Sequence, residues 1–293
     1  MRNQNRRKFI QQSAFLTGSV LATGLGFASP GYQKSSGSLT NFRFRLLRHA
    51  SLVLEINGLT ILVDPMLSKK ETMDPVTNAA NSSRIPMVDL PINAEELKQL
   101  LQKTDAILLT HTHRDHWDAA AQLLLDKKIP VFCQPADETK IRQQGFIRVT
   151  AIEINTNWNN IRIHRTGGQH GTGDIGKAMG TVSGFVVSYA DHSLYIAGDT
   201  IWCSEVQQAI TEYKPTHTIV NGGGARFLTG GPITMTTADV TQVCRATDSP
   251  VTVVHLDTIN HCLEKREMFR ELAKKEKLND RLRIPEDGEW IAL

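Results

Sequence analysis

Long apolar runs are missing from these 293 residues. The most apolar stretch, Ala14 to Ala28, is broken by Gly18, Gly24 and Gly26. It falls short of the roughly 20 apolar residues a membrane-spanning helix needs. No two of Cys133, Cys203, Cys244 and Cys262 stand at CxxC spacing, which argues against a cysteine zinc site. They read as buried small hydrophobes; three disulfide pairings are open to them if the chain reaches an oxidising compartment. Surplus charge is also absent. The total is +3, and Arg2, Arg6, Arg7 and Lys8 supply +4 with no acid before residue 29. The remainder is therefore about −1 and carries no electrostatic footprint for nucleic acid. Short-period repeats, low-complexity blocks and internal linkers are lacking too, so residues 41–293 read as one domain.

The basic start has its own explanation. Asn5-Arg6-Arg7-Lys8-Phe9-Ile10 precedes a weak apolar segment that ends in Gly26-Phe27-Ala28. Paired arginines, a phenylalanine and a small-residue cleavage site resemble a twin-arginine export signal over residues 1–28. That signal implies handling by the twin-arginine machinery and a periplasmic destination. An uncleaved basic anchor is the alternative.

From Asn41 onward the pattern turns to strands. Phe42–Leu47 mixes arginine and apolar residues at alternate positions, and the apolar runs Ser51–Ile56 and Thr60–Val63 are joined by Asn57-Gly58 as a β-hairpin. Residues 66–91 lack periodicity and form a long loop, a kind that is usually functional or disordered. A helix over Ala94–Gln102 leads into a buried strand at Ala106–Thr110. Helices at Trp117–Leu125, Asp137–Gln143, 204–211, 237–246 and 263–275 then alternate with strands. Those strands fall at Pro130–Cys133, Arg148–Ile154, Asn160–His164, Thr181–Tyr189, Ser193–Ala197, 216–220, 251–255 and 289–292. Two strand-rich halves with interleaved helices predict an α/β (α+β) architecture of two packed sheets with helices outside.

The Ala106–Thr110 strand runs straight into His111-Thr-His113-Arg-Asp115-His116-Trp-Asp118. Side chains two apart in extended backbone share a side, so His111 and His113 can hold one metal. Asp115 and His116 turn toward a neighbouring position as the chain enters its helix. Imidazole and carboxylate suit zinc-like ions. A histidine-rich surface loop is the plain alternative, but placement at a strand-to-helix junction favours a site.

An HxHxDH run after an apolar strand resembles the metallo-β-lactamase superfamily, and the likeness covers nearly the whole chain after the leader. Arg48-His49-Ala50-Ser51 through Asp64-Pro65 is similar to its opening hairpin. Gly168-Gln169-His170-Gly171, Gly198-Asp199-Thr200 and Val253-Val254-His255 match its later motifs. Their order resembles the ascorbate-6-phosphate lactonase-like and N-acyl-phosphatidylethanolamine phospholipase D-like branch. The resemblance implies a four-layer αββα sandwich. It also implies His111, His113 and His170 on one metal, Asp115, His116 and His255 on a second, and Asp199 between them. Two divalent ions are expected, zinc first, with manganese or iron as alternatives. Their shared hydroxide would cleave an ester-type bond, a lactone or phosphodiester, in a small-molecule substrate, with Asp115 also moving protons. Lactam-cleaving members usually carry cysteine where this chain has Asp199, which disfavours that substrate.

Other residues have weaker roles. Asp64 and Asp118 are candidates to orient histidine ligands. His49 either faces the site from the hairpin or is structural. His261 competes with His255 as the last ligand; His255 ends an apolar strand and is preferred, leaving His261 to line the pocket. Arg226, after Asn221-Gly-Gly-Gly, could meet an anion, although no GK[ST] follows and the glycines are not a phosphate loop. Lys69, Lys70 and Arg84 either select substrate or make a solvated loop. Two rival functions stand beside hydrolysis: an iron-dependent oxidoreductase of the same fold, and a non-catalytic exported binding protein.

Overall fold

Asn57 and Gly58 both adopt positive φ, 51° and 83°, the geometry of a tight hairpin turn whose twist matches its strands. They join β2 (Ser51–Ile56) to β3 (Leu59–Val63), with β1 (Phe42–Arg48) antiparallel on the other side of β2. The computed structural model describes residues 42–293; the expected leader, residues 1–28, lies outside the described residues. After the hairpin come α1 (Ala94–Lys103), β4 (Ala106–Leu109), α2 (Ala119–Leu124), β5 (Val131–Cys133), α3 (Glu138–Gln143) and β6 (Val149–Ala151). The second half contains β7 (Asn155–Trp158), β8 (Ile161–Thr166), α4 (Gly173–Met179), β9 (Gly184–Tyr189), β10 (His192–Ile196), α5 (Ser204–Tyr213) and β11 (His217–Asn221). It closes with α6 (Thr237–Ala246), β12 (Val251–Val254), α7 (Arg266–Lys275), β13 (Leu282–Arg283) and β14 (Trp290–Ala292).

Two seven-stranded sheets result, ordered β14-β1-β2-β3-β4-β5-β6 and β13-β12-β11-β10-β9-β8-β7. The last strand returns to the first sheet, where β14 lies antiparallel to β1. Alternation within single strands builds the layers. In β3, Ile61 and Val63 join the cluster between the sheets, with Phe44, Phe185 and Ile219. Leu62 between them joins Ile107, Trp117 and Ile141 on the outer face. The second sheet does the same, packing Tyr195, Val220 and Val253 against Val206, Val240 and Phe269. A strand buried on both faces reads as an unbroken apolar run, which is why β4 was so clear in the sequence.

The structure corrects several expected boundaries. Edge strand β7 was not foreseen: Asn155-Thr-Asn-Trp158 has one apolar residue and is half-buried or exposed. Helix α4 was missed because Gly173 and Gly176 hide its pattern and none of its residues is buried. Two-residue β13 is too short to show a period. Helix α2 begins at Ala119 rather than Trp117, because the Asp118 side chain caps it by accepting from Ala121 N at 2.7 Å. All four cysteines are free thiols.

Helices force β3, β4, β5 and β6 to run parallel, and likewise β10, β11, β12 and β13. Parallel strands end on one side of a sheet, where crevices form. Asp64, His111, Asp199, Asn221 and His255 all stand at or just beyond such strand ends.

Candidate metal centre

The strand ends carry their side chains to one place. His111 Nε2 lies 3.0 Å from His113 Nδ1, and His170 Nε2 lies 3.3 Å from the same atom. Beside this trio, Asp199 Oδ2 is 3.2 Å from His116 Nε2 and 3.6 Å from His170 Nε2. Asp199 Oδ1 is 3.4 Å from His255 Nε2, which also sits 3.6 Å from Asp115 Oδ2. Possible donor atoms thus cluster in three groups: His111, His113 and His170; His111, His116 and Asp199; and His49, Asp115, His116 and His255. Gly198 makes the approach of Asp199 possible. Its φ is 69°, and a Cβ there would stand 2.7 Å from Ser183 O.

The far side of most rings is already engaged, and that aims the near nitrogen inward. His170 Nδ1 donates to Ile233 O at 2.7 Å. His116 Nδ1 donates to Asp64 Oδ2 at 2.9 Å. Asp64 is held in turn by Thr110 N and Thr110 Oγ1, at 2.8 and 2.6 Å. His111 Nδ1 is 3.1 Å from Thr110 Oγ1, and Asn221 Nδ2 donates to Asp199 Oδ1 at 2.7 Å. The inward Nε2 atoms of His116 and His255 are buried and find no hydrogen-bond partner. Buried polar atoms are normally satisfied, so converging bare nitrogens and carboxylates fit cations well.

Electrostatics agree with that fit. Burial pushes His116 down, but the Asp199 and Asp115 carboxylates outweigh it and lift the imidazole to about 10. Burial likewise opposes His255, which Asp199 carries well above its ordinary value. Both aspartates resist burial because His116 stands beside them, and both stay well below the usual carboxylate range. The Asp115–Asp199 half therefore demands positive charge. His111 and His170 are pushed down, chiefly by burial, leaving neutral rings whose lone pairs can bind metal.

Residues 60–255 match the β-lactamase superfamily domain. The chain belongs to this superfamily. UPF0173 protein YddR of Bacillus subtilis is 31% identical over 248 residues, covering 83% of this chain and 96% of that one. The crystal structure of a possible metal-dependent hydrolase from Veillonella parvula superposes with a TM-score of 0.83 at 34% identity, over 86% of this chain and all of that one. An isothiocyanate hydrolase from Delia radicum gut bacteria gives 0.80 at 34% identity, over 86% and 99%.

This β-lactamase superfamily member places the remaining candidates as follows. Asp118 does not reach a histidine; it caps α2 and accepts from Ser68 N at 2.7 Å. The sequence signal for that cap, an acid before an apolar helix, was present and was outweighed by proximity to the histidine run. His49, at φ 59° in the hairpin bend, sends Nε2 to within 3.1 Å of Asp115 Oδ2. Its ring lies 3.6 Å from that of His255, centroid to centroid. Burial, then His255, pushes it down to about 3. His255 sits in the ring of donors, whereas His261 stands outside it, stacked on Phe227. Arg226 faces Glu264 at 3.8 Å and is spent there. Asn221 escaped the sequence reading; its position at a parallel strand end, like Asp199 and His255, was the available signal.

Proposed function

We propose that this member of a family of metal-dependent hydrolases holds two divalent cations, zinc first, and cleaves small uncharged electrophiles with apolar tails. His111, His113 and His170 would hold one cation and Asp115, His116 and His255 the other, with Asp199 between them. The chemistry such a pair supplies when bound is Lewis acidity toward water and toward the electrophile. Asp115 faces His49 Nε2 at 3.1 Å, so the neutral imidazole can donate to one carboxylate oxygen and orient Asp115 for accepting a proton on the other.

One observation carries the substrate class: the wall beside the metal centre is apolar and its cations are already partnered. Ile85, Ala225, Ile233, Ile259 and Cys262 form a buried cluster, with Met73, Met87, Ile175 and Phe227 packed on it. Ile233 accepts from His170, and Cys262 Sγ lies 3.5 Å from His255 Nδ1, so this wall adjoins the ligands. Around it Arg84 pairs with Asp74 at 2.6 Å, Lys70 with Glu71 at 3.9 Å and Arg226 with Glu264. Lys69 lines a groove beside α1 instead. Arg84, Lys70 and Arg226 each have an acidic neighbour that offsets their charge toward a phosphodiester, whereas a neutral lactone or an isothiocyanate, R–N=C=S, suits the wall. The isothiocyanate hydrolase at 34% identity supports putting that substrate first, and the lactone keeps the ester-type expectation alive.

The test is a matched panel with zinc- or manganese-loaded protein: phenethyl isothiocyanate, a δ-lactone, bis(p-nitrophenyl) phosphate and a chromogenic β-lactam. Chelator-sensitive turnover of the first two, with little on the others, is expected. Preference for the phosphodiester would overturn the apolar-wall reading.

A further inference from the structure

His261 is 6% exposed, and its Nδ1 is buried without a hydrogen-bond partner. Its ring stacks on Phe227, centroids 5.6 Å apart and planes 19° from parallel. The segment that carries it is firmly held. Buried Asn260 accepts from Val76 N at 2.9 Å and donates to Val76 O and Asn81 O at 3.0 and 2.8 Å. Asn81 Nδ2 returns a bond to Asn260 O at 2.9 Å. Met87 N donates to Thr258 O and Leu228 N to Asn78 O, at 2.8 and 2.7 Å. The 66–91 loop is thereby stapled over the 258–261 segment, and Arg226 N fixes the His261 carbonyl at 3.1 Å. This rigidly positioned histidine, with its unsatisfied nitrogen, lies between Phe227, which packs on the apolar wall, and Cys262, whose Sγ is 3.5 Å from His255 Nδ1.

Resting on the function proposed above, we infer that His261 is a substrate-contact residue. Its imidazole, clamped on Phe227, hydrogen-bonds the heteroatom next to the carbon under attack. For R–N=C=S the water oxygen bonds to the central carbon and the C=N π pair moves onto nitrogen, which takes a proton from that water. The C–N bond then breaks, the second water hydrogen goes to nitrogen, and R–NH2 and O=C=S leave. A fixed N–H aimed at that nitrogen stabilises the charge developing there. Burial, countered in part by Asp115, holds His261 down to about 4. It is therefore a neutral hydrogen-bonding group at working pH and leaves metal holding to His255.

Three proteins test this: wild type, His261→Phe, which keeps the stack, and His261→Gln, which keeps a donor. Three readouts separate the roles: metal per chain, kcat and KM on phenethyl isothiocyanate, and the Kd of phenethylurea, an uncleaved mimic. Metal content should equal wild type in both variants. His261→Phe should lose about 30- to 100-fold in kcat/KM, mostly in kcat, with weaker phenethylurea binding. His261→Gln should recover to within about 10-fold of wild type. Loss of metal in His261→Phe, or unchanged kcat/KM and Kd, would overturn the assignment. A metal-loaded wild type inactive on every electrophile sinks the parent reading instead, and equal phenethylurea Kd values would then sink the contact as well.

Discussion

His116 and His217 are almost equally sealed from solvent, at 0% and 2% exposure, yet the protein drives them to opposite charge. His217 lies within the sandwich on β11, its ring edge-on to Phe44 at 5.2 Å and its Nε2 2.8 Å from Thr252 Oγ1. Burial, with Arg283 adding to it, brings it down to about 4. His116 meets Asp64, Asp115 and Asp199 and is lifted to about 10. Burial penalises the charged form at both places, and the partner decides the sign. Inside the sheets a histidine is answered by a hydroxyl and a ring, and it remains a neutral packing residue. At the strand ends it is answered by carboxylates, and the same side chain becomes part of a place built for positive charge.

The largest effect should come from removing the carboxylate that makes this difference. Asp199 touches His116, His170 and His255, so Asp199→Ala should lower kcat/KM by about 10³-fold or more and reduce bound metal per chain. Far-UV circular dichroism should stay close to wild type, because both sheets keep their cores. Undiminished turnover would break the dinuclear assignment and with it the contrast between the strand ends and the interior.

The same contrast explains what was legible in the sequence. β4 and the Ile61–Val63 end of β3 are buried on both faces, so their residues form unbroken apolar runs, and the histidine run announced itself by following one. β7 and α4 lie where little is buried, and with no burial there is no pattern to read. Site residues divide along similar lines. His111, His113, His116 and Asp199 belong to short motifs that end strands, and the structure brings them together with His170 and His255. Asp118 has the same chemical type but serves a helix start. An acid before an apolar helix signals a cap, whereas nearness to the histidines points to a ligand-orienting role that the structure does not give it. Asn221 was hidden by the glycines after it, and the position of His49 depends on a left-handed bend at Arg48-His49-Ala50 that no short motif specifies.

A smaller effect should mark the interior histidine. Its folded value, about 4, lies below the ordinary 6.5, so between those values the unfolded chain binds more protons than the native one. Stability from this group is complete above about pH 6.5 and is lost as the pH falls toward 4, by about 3 kcal/mol at most. His217→Asn removes the titration. Urea midpoints at pH 7.5 and pH 5 should therefore differ less in the variant than in wild type, by about 2 kcal/mol in derived stability. The metal centre contributes equally to both proteins and cancels. Equal pH sensitivity would mean that His217 is protonated in the folded state despite its burial.

The smallest effect tests the partner rule on an exposed charge. Arg226 stands near the site, but its guanidinium faces Glu264 at 3.8 Å and its Nε donates to Gly224 O at 3.2 Å. A cation whose partner is supplied by its own chain has little to offer an incoming anion, and a side chain about one-third exposed gains little from the pair. Arg226→Ala should therefore shift stability by no more than about 1 kcal/mol. It should leave kcat/KM on phenethyl isothiocyanate within about 3-fold, too small a change for a charged hydrogen bond to substrate. A drop of about 10-fold or more confined to an anionic substrate such as bis(p-nitrophenyl) phosphate would show that the guanidinium leaves Glu264 during turnover. In that event the wall beside the metals would have to be read as an anion pocket with an apolar lining, and the partner seen at rest would no longer predict the partner used in catalysis.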